Sequence, residues 1–554
     1  MKRILILFSL FLGVLCDRSA ATAERPPNII IILADDLGYS DIGCYGSEIR
    51  TPNLDRLAAG GLRFTQFYNC SRCCPARAAL LTGLYPHQAG VGCFLENWAP
   101  PAYSSGLSEH SATIAELLRP AGYRTYMVGK WHVCAMTEEH RRDFPLQRGF
   151  DRAWCLPGFT NYHQPALILD GNELVGAKGN GHGGDISTVA RVAGGDASAK
   201  TISGAYVTDA TTDKAIQFIV ENSKTTKPFF LHLAYNAPHF PLQALPEDIA
   251  RYQGTYLGGW DALRQKRYQR MIELGVIDKR WELSPRDSDA KAWTEVKDKR
   301  EWDLRMSVYA AMIESMDRGI GRVLDAVRQA GAEENTLVLF MSDNGACAEH
   351  IDFGDKPSAT TGSKDSFRCL EVGWANVSNA PFRLHKGWLR EGGISGPLIA
   401  YWPAVIKQKG AISGELSHLI DIMATCLDAA GVTYPKTLDG RELTPMEGKS
   451  LLPVFENGAR EGHAALFWEH MGHRAVRQGK WKLVNVYPHG WELYDMEADR
   501  TELKDLAAQD PAKVKELNAL YEVWAAKCGV QPWKNFVERD DAERLRTHPE
   551  FRRK

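Results

Sequence analysis

Asn28-Ile29-Ile30-Ile31-Ile32-Leu33-Ala34, closed by Asp35-Asp36-Leu37-Gly38, decides the fold. The apolar run offers no polar face, so it reads as a strand buried on both sides. That is the place of a central strand in a parallel sheet covered by helices. Moving outward, Thr51-Pro52-Asn53-Leu54-Asp55-Arg56-Leu57 reads as a capped helix start with Pro in its first turn. Further strands are expected at 123–129, 228–235, 336–341 and 397–402, and helices at about 209–222 and 304–330. Alternating strands and helices give an α/β class, a large mostly parallel sheet sandwiched by helices. Segments 157–205, 250–300 and 346–380 are polar or Gly-rich and read as insertions over one rim of the sheet.

From about Gly440 the texture changes. Trp468, Trp481-Lys482-Leu483-Val484 and Trp491-Glu492-Leu493-Tyr494 read as short antiparallel strands, followed by a charged amphipathic helix near 511–527. The expected organisation is a signal peptide over 1–23, a catalytic domain over 24–439, a C-terminal α+β subdomain over 440–538 and a charged tail over 539–554. The signal peptide rests on basic Lys2-Arg3, the apolar run Ile4 to Leu15 and the small-residue site Ala21-Thr22-Ala23. Leu15 is too bulky for a lipoprotein site at Cys16, so cleavage after Ala23 and export to the periplasm or medium are expected. No later run is apolar enough to insert in a membrane.

The chain has 554 residues, 44% hydrophobic and 24% charged, which excludes disordered, collagenous and disulfide-knot classes. Lys+Arg 66 against Asp+Glu 68 gives no global reason to expect nucleic acid as a partner. Of 12 cysteines, one lies in the leader; an exported chain could pair ten of the rest and leave one odd thiol.

Four strand ends carry chemistry: Asp35-Asp36, Lys130 with His132, His239, and Asp343-Asn344. A single acidic pair after a strand is usually a turn or cap. Four such ends point to the crevice at the carboxyl edge of an open sheet, where ligands bind. Asp35, Asp36, Asp343 and the Asn344 carbonyl form an all-oxygen set suited to Ca²⁺ or Mg²⁺ rather than Zn²⁺. The sharpest motif is Cys73-Cys74-Pro75-Ala76-Arg77, continued by Ala78-Ala79-Leu80-Leu81-Thr82-Gly83. Pro75 and the good helix formers after it place Cys73 at a helix N-terminus, where free N–H groups favour an anion.

The spacing C-x-P-x-R-x4-T-G resembles the signature of the formylglycine-dependent type I sulfatases of the alkaline phosphatase-like superfamily, bacterial arylsulfatases most of all. Matching stretches run along nearly the whole mature chain: Pro27-Asn28-Ile29, Thr51-Pro52-Asn53-Leu54-Asp55, Gly129-Lys130-Trp131-His132, Pro228-Phe229-Phe230, Ala237-Pro238-His239, Ser342-Asp343-Asn344-Gly345, Lys386 with Glu391-Gly392-Gly393, and Leu493-Tyr494-Asp495. The resemblance implies a sulfuric ester hydrolase. Cys73 would be converted to formylglycine by a formylglycine-generating maturation enzyme. One hydroxyl of the hydrated aldehyde would attack sulfur and the other would expel sulfate. Asp35, Asp36, Asp343 and Asn344 would hold one Ca²⁺, ahead of Mg²⁺, together with residue 73. Arg77 would reach the diol or sulfate, and Lys130 and Lys386 the sulfate oxygens. His132 would take the proton in the elimination and His239 would protonate the leaving oxygen.

Cys74 fills the variable place of the motif, and with Cys70 it could form a disulfide that competes with maturation. Gly396 stands where the family more often has Arg-Val-Pro. His163, His182, His350 and Trp374 lie in the insertions and are not assigned to the site. Phosphonate or phosphate monoester and diester hydrolases of the same superfamily are the rival enzymes. A non-catalytic sulfated-glycan-binding homologue is the rival of another class, if Cys73 is not matured. The sequence leaves the ester open between aryl and carbohydrate sulfates.

Overall fold

The computed structural model describes residues 25–536, apart from 96, 164, 166, 176–205 and 351–358. The expected signal peptide, Cys16, His182 and the charged tail lie outside these residues. The centre is an eleven-stranded mixed sheet. Its middle strands are β1 (Asn28–Ala34), β2 (Leu62–Tyr68), β3 (Arg124–Lys130), β4 (Arg152–Leu156), and three later ones. We number those β5 (Phe229–Ala234), β6 (Thr336–Ser342) and β7 (Ser395–Tyr401). β6, β1, β5, β3 and β4 run side by side in parallel. β7 is antiparallel to both β6 and β2.

β1 is buried on both faces, as its composition requires. Ile29, Ile31 and Leu33 enter one core with Leu80. Ile30, Ile32 and Ala34 enter the other with Val308 and Met312. Each such side chain contributes about 1.5–3 kcal/mol on burial. The covering helices are α1 (Pro52–Gly60), α2 (Cys73–Thr82), α3 (Val207–Asn222), α4 (Gly259–Glu273) and α5 (Lys299–Gln329). α1 starts where expected, but the Thr51 side chain does not cap it; its hydroxyl accepts from the Gly43 N–H at 2.8 Å. The free N–H groups of Asn53 and Leu54 are taken instead by the Asp317 carboxylate of α5.

One expectation needs correction. Segment 250–300 is not simply a rim insertion, because it contains α4, and its Trp260 and Trp293 pack with Trp374 in the second core. Trp374 is therefore a core aromatic. The sequence left cysteine pairing open; the eleven cysteines among the described residues are all free thiols. None of the described helices is long and apolar enough to cross a membrane.

Beyond residue 465, Leu466–His470, His473–Gln478, Trp481–Asn485 and Trp491–Asp495 form an antiparallel sheet. Helix α6 (Pro511–Cys528) packs on it through Trp524, stacked on Phe467 at 5.3 Å. This sheet shares the first core with the large one, and Trp468 Nε1 donates to the Asn69 carbonyl just ahead of α2.

Candidate active site

Register brings the four chemical strand ends together. Ala34 of β1 lies opposite Ser342 of β6, Leu33 opposite Ala234 of β5, and Ala234 opposite Gly129 of β3. The residues that follow therefore emerge side by side at one edge. Asp36 turns there with φ 64°, a left-handed conformation that Asp tolerates better than most residues. Its N–H donates to Asp343 Oδ1 at 3.3 Å, and Asn344 Nδ2 donates to Asp36 Oδ1 at 2.6 Å.

α2 supplies the next groups. Arg72 precedes it in extended conformation without a side-chain cap, and Cys73 is the first helical residue. Arg77 follows one turn later and is fully buried. Its Nη2 donates to Asp343 Oδ2 at 2.8 Å and its Nη1 to the Lys130 carbonyl at 2.8 Å. These contacts tie the end of β3 to Asp343 just beyond β6, one turn from residue 73.

The other cations also meet carboxylates. Lys130 Nζ lies 2.6 Å from Asp35 Oδ2. Lys386 Nζ lies 2.9 Å from the Asp36 carboxylate and 3.3 Å from His239 Nε2. Burial pushes the Asp35 carboxyl up, but Lys130, His239 and Arg77 outweigh it and hold the group well below the usual carboxylate range. Burial and the Asp35 charge push Asp343 well above that range, against the pull of Arg77. The pair thus splits its acidity, as close carboxylates do.

His239 Nδ1 lies 2.6 Å from the Phe240 carbonyl, which places a proton on Nδ1 and leaves Nε2 facing Lys386. Burial holds its pKa below the ordinary histidine value. His132 sits at φ 52°, and its Nε2 lies 3.4 Å from Cys74 Sγ. Burial lowers its pKa as well. The Cys73 thiol is lowered well below its ordinary value by the hydrogen bond from Cys74, against burial, with help from Lys130 and His132.

Two buried acceptors lack a hydrogen-bond donor: Asn344 Oδ1, and Asp35 Oδ1, which has only the Arg77 guanidinium at 3.4 Å. Orphaned oxygens in a buried site are costly unless a cation satisfies them, and a hard cation fits this donor set. Ligand atoms of Asp35, Asp36 and His239 also lie within 4.8 Å of one another. The Lys386 ammonium beside His239 Nε2 disfavours that mixed set, so the oxygen set is the better fit.

The structure thus brings Asp35, Asp36, Cys73, Arg77, Lys130, His132, His239, Asp343, Asn344 and Lys386 to one edge. His163 packs instead against Tyr206, and His350 pairs with Glu371 on the surface. Three contributors were missed. Cys74, taken as the variable motif position, puts its thiol on His132. Phe159 stacks on His239 at 5.7 Å, giving the site an aromatic wall. The Tyr162 hydroxyl bonds to the Asn236 and His239 carbonyls at 2.6 and 2.9 Å and fixes that loop. Both aromatics stand in the expected rim segment, but nothing local in it signals the residues they meet.

A family model described as Sulfatase matches residues 27–432, and one described as N-sulphoglucosamine sulphohydrolase, C-terminal, matches residues 383–522. An uncharacterized sulfatase of Schizosaccharomyces pombe is 35% identical over 540 residues, 92% of this chain and 95% of that protein. An arylsulfatase of Klebsiella aerogenes is 32% identical over 480 residues, 82% of this chain and 97% of that one. A structure solved in complex with k-i-k-neocarrahexaose matches with TM-score 0.62 and 27% identity over 90% of this chain and 93% of its own.

Proposed function

The chain belongs to the type I sulfatases of the alkaline phosphatase-like superfamily and hydrolyses sulfate esters; from that premise we propose that residue 73, as formylglycine, is the nucleophile and that a sulfated carbohydrate is the substrate. The observation that carries the first part is the seat of Cys73, at the uncapped start of α2 beside Lys130 and His132. The carbohydrate reading is supported by the oligosaccharide bound to the similar solved protein and by Phe159, an aromatic face on which a sugar ring can stack. A formylglycine-generating enzyme is the implied maturation partner. Export after removal of residues 1–23 belongs to the same reading.

Asp35, Asp36, Asp343 and Asn344 would hold one divalent cation, which we take to be Ca²⁺. When bound, it supplies positive charge to the sulfate oxygens and to the nucleophile. The chain's own residues do the rest. Lys130 and Lys386 stand at the edge where the sulfate must lie and offer N–H donors to its oxygens. Arg77 holds Asp343 in place and closes the gap between β6 and β3. His132 Nε2 takes a proton from residue 73. His239 would protonate the leaving oxygen through Nε2 once it has taken up a second proton there from solvent, a form that the Asp36 carboxylate at 3.5 Å favours, while the Lys386 ammonium at 3.3 Å holds the ring in place. Phe159, Phe240 and Phe367 keep bulk water from that transfer.

The deciding experiment joins mass spectrometry of the residue-73 peptide with sulfate release from a panel of sulfated oligosaccharides and a chromogenic aryl sulfate. We expect the mass of formylglycine in the active enzyme and faster release from a carbohydrate. An active enzyme carrying unmodified Cys73 would overturn the nucleophile, and turnover confined to the aryl ester would overturn the substrate.

A further inference from the structure

A second, softer set of donors sits beside the oxygen cluster. Cys73 Sγ, Cys74 Sγ and a ring nitrogen of His132 all lie within 4.8 Å of one another, and Cys74 Sγ is 3.4 Å from His132 Nε2. For a tetrahedral zinc with bonds of about 2.3 Å to sulfur and about 2.0 Å to nitrogen, the sulfur–nitrogen edge is about 3.5 Å. The observed separation already matches that edge. Neighbours in sequence normally diverge on a helix. Here both thiols lie in the first turn of α2, and His132, two residues beyond β3 and left-handed, brings its ring to them. Both cysteines are buried, whereas His132 is partly exposed and leaves a path from solvent.

We propose that the unmodified chain binds one soft or borderline divalent cation of the Zn²⁺ class through Cys73, Cys74 and His132, with water in the fourth position. Each thiol releases its proton to solvent as its sulfur takes the cation, His132 binds as neutral imidazole, and no electron is transferred. Two thiolates and an imidazole select against Ca²⁺, which keeps to the oxygens of Asp35, Asp36, Asp343 and Asn344. Conversion of Cys73 to formylglycine removes one of the three donors, so the soft site belongs to the precursor. That last point rests on the proposed nucleophile; the binding itself does not.

The test uses the full-length chain made in a host without maturation activity, kept reduced, in buffer containing Ca²⁺. Co²⁺ serves as the optical probe and Zn²⁺ as its competitor. One equivalent of Co²⁺ should bind with tetrahedral visible bands and a thiolate charge-transfer band, and Zn²⁺ should displace it. Cys74→Ser and Cys73→Ser should each weaken binding more than tenfold, while Cys44→Ser, a thiol on another loop, should leave it unchanged. Should either site variant fail to fold, alkylation of the parent gives the answer: Zn²⁺ should protect Cys73 and Cys74 and leave the other cysteines unaffected. Absence of the charge-transfer band, binding by Cys74→Ser equal to the parent, or protection mapped to other cysteines would overturn the proposal. Matured protein that bound Co²⁺ as tightly as the precursor would refute only the link to maturation.

Discussion

Glu391 lies five residues beyond Lys386, where the active-site loop meets the C-terminal sheet, and its removal should be costly. It is fully buried, and its two oxygens accept from Lys482 Nζ at 2.9 Å, Arg500 Nε at 3.0 Å and the Tyr68 hydroxyl at 2.8 Å. Glu502 lies 2.9 Å from the same lysine. Glu391→Gln keeps the shape but leaves two buried cations to one carboxylate. Breaking a buried pair in this way costs about 3–5 kcal/mol. A second route gives a similar figure. Burial pushes the Glu391 carboxyl up, but Lys482, Arg500 and Arg477 more than offset it and bring the group from 4.5 down to about 2. That shift corresponds to about 3 kcal/mol of stability. Because the folded value is depressed, the contribution is complete above pH 4.5 and is lost as pH falls toward 2. Urea unfolding of parent and Glu391→Gln at pH 7 should therefore differ by about 3 kcal/mol, and the gap should close as pH falls through that window. A difference under about 0.5 kcal/mol at neutral pH, or a gap unchanged down to pH 2.5, would refute the reasoning.

Other outcomes follow from the same chemistry. Burial brings His232 and His418 down to about 3 and His473 to about 4; the unfolded chain then binds more protons below pH 6.5, and stability should fall by roughly 4 kcal/mol per pH unit as pH drops from there toward 4. Melting temperature followed from pH 7 to 4.5 checks this, and a flat profile contradicts it. A strong chelator should abolish turnover, with Ca²⁺ or Mg²⁺ restoring it; recovery with Zn²⁺ alone would reject the oxygen site. Cys73→Ser should take up one sulfate on the residue-73 peptide and stop after at most one turnover, since a lone hydroxyl cannot expel it; sustained turnover at the parent rate would remove residue 73 from its role.

What was legible in the sequence was local. β1 announces its double burial by composition, and each reactive strand end carries its donor directly after the apolar run. α4 was not legible, because its polar sequence has little apolar periodicity and it is placed by Trp260 meeting Trp374, far along the chain. The Tyr162 clamp on the His239 loop and the Asp317 cap on α1 failed for the same reason: each joins residues whose meeting depends on the whole fold. Arg77 shows the limit most clearly. Motif spacing puts it one turn from Cys73, but does not show that its guanidinium also meets Asp343, which arrives just beyond β6. Pairing is what the residue types alone do not reveal, and here each cation has a nearest carboxylate: Lys130 with Asp35, Lys386 with Asp36, and Arg77 with Asp343, with Asp35 a second partner of Arg77 at 3.4 Å. With every carboxyl ionised the cluster's formal charges would cancel, and where burial and Asp35 push the Asp343 carboxyl up, the proton it keeps relieves the crowding of the acids before any ion or substrate enters. Adding a divalent cation then leaves the site with a net positive charge of two, and a sulfate monoester carries one negative charge. Negative charge that shifts onto the sulfate and leaving oxygens would meet cations already held in place, so the pairing that lets the empty cluster fold would also suit the transition state.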